Sequence, residues 1–198
     1  MPRRKIHKSP EFHGFAINCS ESSPVYERHT KALVEIITSC SGQGRWEAVH
    51  VILWINSAST SISTVMHKLQ KGFGPGCMKY VWAKEFAVQE DELSGTHYHA
   101  AFFYNAQKHS FQTLRSGLHA LVTQEILYQY QHVAPKKSSI KNIDLAKSLD
   151  NNAASAYGLD LRNESGVRWA IFWFSYLAKT RSKEGVPGRT FGTSQLKK

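Results

Sequence analysis

An α+β domain, with helices packed on a ferredoxin-like central antiparallel β-sheet, is the fold class that this sequence predicts. Three long β-prone runs carry the prediction, at residues 46 to 55, 79 to 88 and 96 to 104. The last two flank one short polar segment, Gln89 to Gly95, and so read as an antiparallel hairpin. Helical patterns fall between and after these runs without the regular strand-helix alternation of a Rossmann-like sheet. The 198 residues suit one compact domain with tails, and 12% aromatic content excludes a disordered chain.

In chain order, residues 1 to 22 are polar and basic with no sustained period, and read as a flexible arm able to touch phosphates. The folded domain is expected over 23 to 192, followed by a basic tail over 193 to 198. Ser23-Pro24 looks like an N-cap and a first-turn proline, opening a helix that runs through Leu33, Ile36 and Ile37 to Ser41-Gly42. The run at 46 to 55 is expected as the central strand. A short helix over 61 to 71 is broken by Gly72-Phe-Gly-Pro-Gly76. Leu114, Leu118, Leu121, Val122, Ile126 and Leu127 recur near helical spacing and predict a helix over 111 to 128. Residues 129 to 160, basic at Lys136-Lys137 and rich in Ser and Asn, have room for a further strand or an insertion. A last helix is expected over 168 to 181, and the order of elements places the helices on one face of the sheet.

The formal charge of +10 and a pI near 9.6 point to a polyanionic partner, nucleic acid above all. No run reaches bilayer length, and the N-terminus lacks the apolar segment of a secretory signal, so the expectation is a cytoplasmic protein with no membrane partner. Cys19, Cys40 and Cys77 are odd in number and lack C-x-x-C spacing, which disfavours a disulfide framework and a structural zinc site.

His97-Tyr98-His99 opens the third β-prone run. Side chains on a strand alternate faces, so both imidazoles point the same way and can grip one metal ion. Glu85, in the middle of the preceding strand, is the natural third ligand if the hairpin pairs it opposite His99. Two nitrogens and a carboxylate suit manganese or zinc better than magnesium. His50, on the first strand, is a rival ligand. The same residues also fit a plainer arrangement, with the histidines bonding solvent at a strand end and Glu85 as an edge-strand charge.

Tyr176 and Lys179 lie three residues apart in the last helical run, hence on one side of a helix. A phenol is a weak nucleophile at neutral pH and needs its target phosphate polarised by a cation, which a metal on Glu85, His97 and His99 would supply. Lys179 could neutralise the phosphate or ease loss of the phenolic proton. An amphipathic core helix with Tyr176 half-buried accounts for the same pattern.

Together these elements resemble the HUH endonuclease superfamily. His97-Tyr98-His99 is similar to its His-hydrophobe-His strand motif. Tyr176-Leu-Ala-Lys179 is similar to the single-tyrosine Tyr-x-x-Lys form of rolling-circle replication initiators, and Glu85 to the acidic ligand that precedes the histidine pair. Tyr176-Leu-Ala-Lys179-Thr180 followed by Gly188-Arg189-Thr190-Phe191-Gly192 looks most like inovirus-type, filamentous-phage gene-II-like replication proteins. The resemblance covers about residues 46 to 192. It implies an HUH-type fold and a divalent metal cofactor, Mn2+ or Mg2+. It also implies attack by Tyr176 on a single-stranded DNA origin, a 5′-phosphotyrosine intermediate, and a released 3′-hydroxyl for a host polymerase. The motif has one tyrosine, unlike initiators that alternate two, and the chain has no P-loop, so a host helicase would unwind. Phosphate contacts are expected from Arg168, Arg181, Lys183 and Arg189. A single-tyrosine transposase or relaxase shares the same chemistry. A non-catalytic nucleic-acid-binding module is the alternative of another class.

Overall fold

The computed structural model describes residues 5–56, 60–87, 95–140, 143–180 and 190–194. In chain order the elements are β1 (Ile6–His7), β2 (Glu11–Phe12), β3 (Phe15–Ala16), β4 (Val25–Tyr26), α1 (Glu27–Ser41), β5 (Trp46–Ile55), α2 (Ile62–Phe73), β6 (Met78–Ala87), β7 (Gly95–Asn105), α3 (Phe111–Thr123), β8 (Leu127–Val133), α4 (Ile143–Ser148), β9 (Leu159–Asp160), α5 (Glu164–Phe174) and β10 (Phe191–Thr193). A 3-10 turn, Ser175–Ala178, continues directly from α5.

The fold is α+β around a six-stranded antiparallel sheet. Its order is β10-β6-β7-β5-β8, with β9 added along β5. The middle strand is therefore β7, which carries the histidine pair, and β5 lies beside it rather than at the centre.

Both faces of the sheet are covered, where helices were expected on one. Trp46, Ala48, Ala101, Phe103, Val81 and Ala83 pack against α1 and α5. Val49, Val51, Leu53, Ala100, Phe102 and Tyr104 pack against α2 and α3. The reason is legible in β5 and β7, whose apolar residues run continuously instead of alternating with polar ones, as in a sheet buried on both sides.

Four further expectations are corrected. The segment before residue 23 is no free arm among its described residues: β1 pairs with β4, β2 with β3, and Phe12 and Ile17 are buried in the α1/α5 core. Because β4 occupies Val25–Tyr26, α1 starts at Glu27 rather than at Ser23-Pro24. The α3 helix ends at Thr123, where Glu125 takes a left-handed φ of 57°, and the backbone then enters β8. Ile126 and Leu127 fell on helical spacing by coincidence, and the Tyr-Gln-Tyr-Gln alternation after them was the strand signal. The expected tail boundary at 193 falls inside β10, which pairs with β6 through Phe191, Gly192 and Thr193. Gly192 is required there because the Trp82 indole occupies the space that a Cβ would fill.

Among the described residues no helix is long and apolar enough to cross a membrane.

Candidate metal and nucleophile site

The site forms where the α1/α5 layer meets the β6–β7 hairpin. Register pairs Glu85 with His97 and Ala83 with His99, a slip of two residues from the expected pairing of Glu85 with His99. Because the strand period is two, that slip leaves all three side chains on one face. Their ligand atoms lie within 4.8 Å of one another. His99 Nε2 stands 3.2 Å from His97 Nε2 and 3.4 Å from Glu85 Oε2. Glu85 and His99 are only 6% and 9% exposed, while His97 is half-buried and stacks on the Trp54 indole of β5.

Two imidazole nitrogens and one carboxylate oxygen, converging from paired strands β6 and β7, form a donor set that could hold a divalent metal ion. Coordination would also relieve the crowding of a buried carboxylate and two imidazoles whose nitrogens face one another.

The last helix delivers the tyrosine. Asn163 caps α5 by accepting the Gly166 N–H at 2.7 Å, and Gly166 is obligatory because a Cβ would run into the Asp160 carbonyl. Trp169, Ala170, Ile171 and Phe174 are buried in the α1/α5 core and fix the helix against the sheet. The α-helix ends at Phe174, earlier than the expected 181, and Tyr176 sits in the tighter 3-10 turn. Residues three apart still eclipse in that geometry. The Lys179 N–H reaches the Tyr176 carbonyl at 3.1 Å, and the Lys179 ammonium lies 5.9 Å from the Tyr176 ring centre. The Tyr176 hydroxyl donates to Glu85 Oε2 at 2.7 Å, and its ring meets His99 edge-on at 5.3 Å.

The N-terminal segment secures this turn. The Asn18 N–H donates to Ser175 Oγ at 2.7 Å, Val25 bridges Lys179, and the Thr180 N–H donates to the Pro24 carbonyl at 3.0 Å. Residues 18 to 25 thus act as a strap over the tyrosine turn, a role that composition gave no sign of.

Five sequence-predicted residues therefore converge: Glu85, His97, His99, Tyr176 and Lys179. Comparisons with protein-family models, curated proteins and solved structures return no match to this chain. Arg168 lies half-exposed on α5, and its side chain makes no ion pair or hydrogen bond among the described residues. Arg181, Lys183 and Arg189 lie outside the described residues.

His50, the rival ligand, stands behind the cluster. Its Nε2 is 3.1 Å from His99 Nδ1, on the far side of the ring from Glu85. Burial, with the neighbouring His99 and His132, pushes its pKa down to about 3, so it is neutral in the folded protein. The sequence carried a parity signal for this position: His50 and Trp54 both fall on the face that carries the histidine pair.

Proposed function

We propose that this chain is an HUH-type, metal-assisted DNA strand transferase acting as a rolling-circle replication initiator. The observation that carries the reading is the hydrogen bond from the Tyr176 hydroxyl to Glu85 Oε2, which joins a sequence-distant tyrosine to a three-donor metal cluster. A structural tyrosine on a core helix has no need of that placement.

The chemistry follows from the groups present. Glu85, His97 and His99 would hold Mn2+ or Mg2+, with the two nitrogens favouring Mn2+. The ion supplies Lewis-acid polarisation of a phosphodiester oxygen. The Tyr176 phenol gives its proton to Glu85 Oε2 or to solvent beside it, and Lys179 stabilises the resulting phenolate. The phenolate oxygen then forms a bond to phosphorus while the bond from phosphorus to the 3′ oxygen breaks. That oxygen takes a proton and leaves as a 3′-hydroxyl, and the 5′-phosphate stays on Tyr176. Attack by another 3′-hydroxyl reverses the step and joins the strand. Because one phosphodiester is exchanged for one phosphotyrosine ester, no nucleotide cofactor is required.

The substrate is single-stranded DNA at an origin, which the charge of +10 favours. A host polymerase would extend the 3′ end, a host helicase would unwind, and the setting would be the cytoplasm of a cell carrying a phage, prophage or plasmid. The test is a denaturing gel of the protein mixed with Mn2+ and a pool of labelled single-stranded oligonucleotides. A protein-linked band that Tyr176→Phe loses is the expected result. Binding of Mn2+ with no band from any oligonucleotide, across origins of phage, plasmid and transposon type, would reject the transferase and leave a binding module.

A further inference from the structure

His50 is buried, central and unused by the chemistry above. Its Nε2 lies 3.1 Å from His99 Nδ1, while the other nitrogen of His99, Nε2, is the one that faces Glu85 and His97. An imidazole that ligates through Nε2 carries its proton on Nδ1, and that N–H needs an acceptor. Carboxylates, backbone carbonyls and waters commonly fill this position; here it is filled by a second imidazole.

We infer that His50 is a positioning residue, a hydrogen-bond acceptor that holds the His99 proton on Nδ1 and so presents Nε2 to the metal. The inference rests on the metal-site reading above. The surroundings make His50 suited to the role. Its ring is held edge-to-face by Trp173 at 5.4 Å and by Phe174 at 5.9 Å, both from the helix that leads into Tyr176. His50 therefore touches the metal-ligand side through His99 and the nucleophile side through α5, without contacting a reacting atom. Its own Nδ1 is buried and has no hydrogen-bond partner among the described residues. A His99 Nδ1 proton donated to His50 Nε2 leaves the His50 proton on Nδ1, so metal at His99 Nε2 fixes the tautomers of both rings together.

Two measurements test this. Long-range proton–nitrogen NMR spectra of the uniformly 15N-labelled protein loaded with Zn2+, as a diamagnetic probe, should place the His99 proton on Nδ1 and leave His50 Nε2 unprotonated. Mn2+ affinity, read from the free-ion electron paramagnetic resonance signal, should fall about tenfold to a hundredfold in His50→Leu. It should recover most of that loss in His50→Gln, whose amide oxygen can accept. Circular dichroism establishes that each variant is folded. A folded His50→Leu that binds Mn2+ like the wild type would overturn the positioning role, as would a His99 proton on Nε2 in the loaded protein. If His50→Leu does not fold, the tautomer spectrum and the glutamine variant decide. A wild-type protein that takes up no Mn2+ refutes the metal site itself, a different outcome from a wild type that binds and a leucine variant that binds equally.

Discussion

At the residue scale the site reduces to one shared atom. Glu85 Oε2 accepts the Tyr176 phenol and faces His99, so the same carboxylate links the candidate metal cluster and the proposed nucleophile. Two substitutions separate its roles. Tyr176→Phe removes only a hydroxyl and should abolish the DNA adduct while lowering Mn2+ affinity by no more than about tenfold to a hundredfold, because the phenol meets the cluster only through its hydrogen bond to Glu85. Glu85→Gln keeps the shape but removes the charge. It should weaken Mn2+ binding by more than the roughly tenfold to hundredfold typical of a lost outer-shell partner, measured by the same free-ion titration. These residues were legible from sequence because strand parity depends on nothing but odd and even numbering: His97, His99 and Glu85 share a face under either register. The place of His50 was not legible, since whether it ligates or stands behind a ligand depends on which ring nitrogen of His99 faces inward, a torsional detail that spacing does not encode. Cys40 is a residue of the opposite kind, fully buried with its thiol pushed up to about 11 by burial, and it should resist thiol reagents at pH 8 until the protein unfolds, followed by the rate of colour release.

At the element scale, α5 is held by its beginning as much as by its buried face. Asn163→Ala removes the cap on Gly166 and should cost about 1 kcal/mol in a denaturant titration. Gly166→Ala should cost more, about 1–3 kcal/mol, because the Asp160 carbonyl blocks the new methyl and the helix must move away from the strand. Since Tyr176 is carried at the end of that helix, both variants should lower adduct yield more than Mn2+ binding, which depends on the hairpin. The two strands of the hairpin and the β5 strand were readable because their apolar runs are long and bounded by turn residues. The boundary between α3 and β8 was not, because Ile126 and Leu127 satisfy a helical period and a strand period equally, and a left-handed φ at Glu125 decides between them. The 3-10 turn at Ser175–Ala178 was hidden for a related reason: a spacing of three fits both helix types.

For the whole molecule, the segment read from sequence as a loose arm is the part that the fold most reinterprets. The segment shows no sustained period because strands of two residues are too short to carry one. Deleting residues 1–22 should therefore do more than remove charge. It withdraws Phe12 and Ile17 from the core, worth about 1.5–3 kcal/mol each, and releases the Asn18 contact to Ser175. The truncated protein should melt lower and lose adduct formation, while Mn2+ still raises its melting temperature. In the full chain, a hundredfold excess of Mn2+ over its Kd should stabilise by about 2.7 kcal/mol, roughly 5 to 11 °C by differential scanning calorimetry.

The strap also fixes an order of events in time. Glu85, His97 and His99 belong to one hairpin whose pairing spans few residues, so the donor cluster can assemble as soon as β7 exists. The Tyr176 turn is set by contacts reaching across 157 residues to Asn18 and across 91 residues to Glu85, closures that require synthesis to have passed Tyr176. Under the proposed activity, a growing chain would therefore complete its metal donor set before its nucleophile is in place.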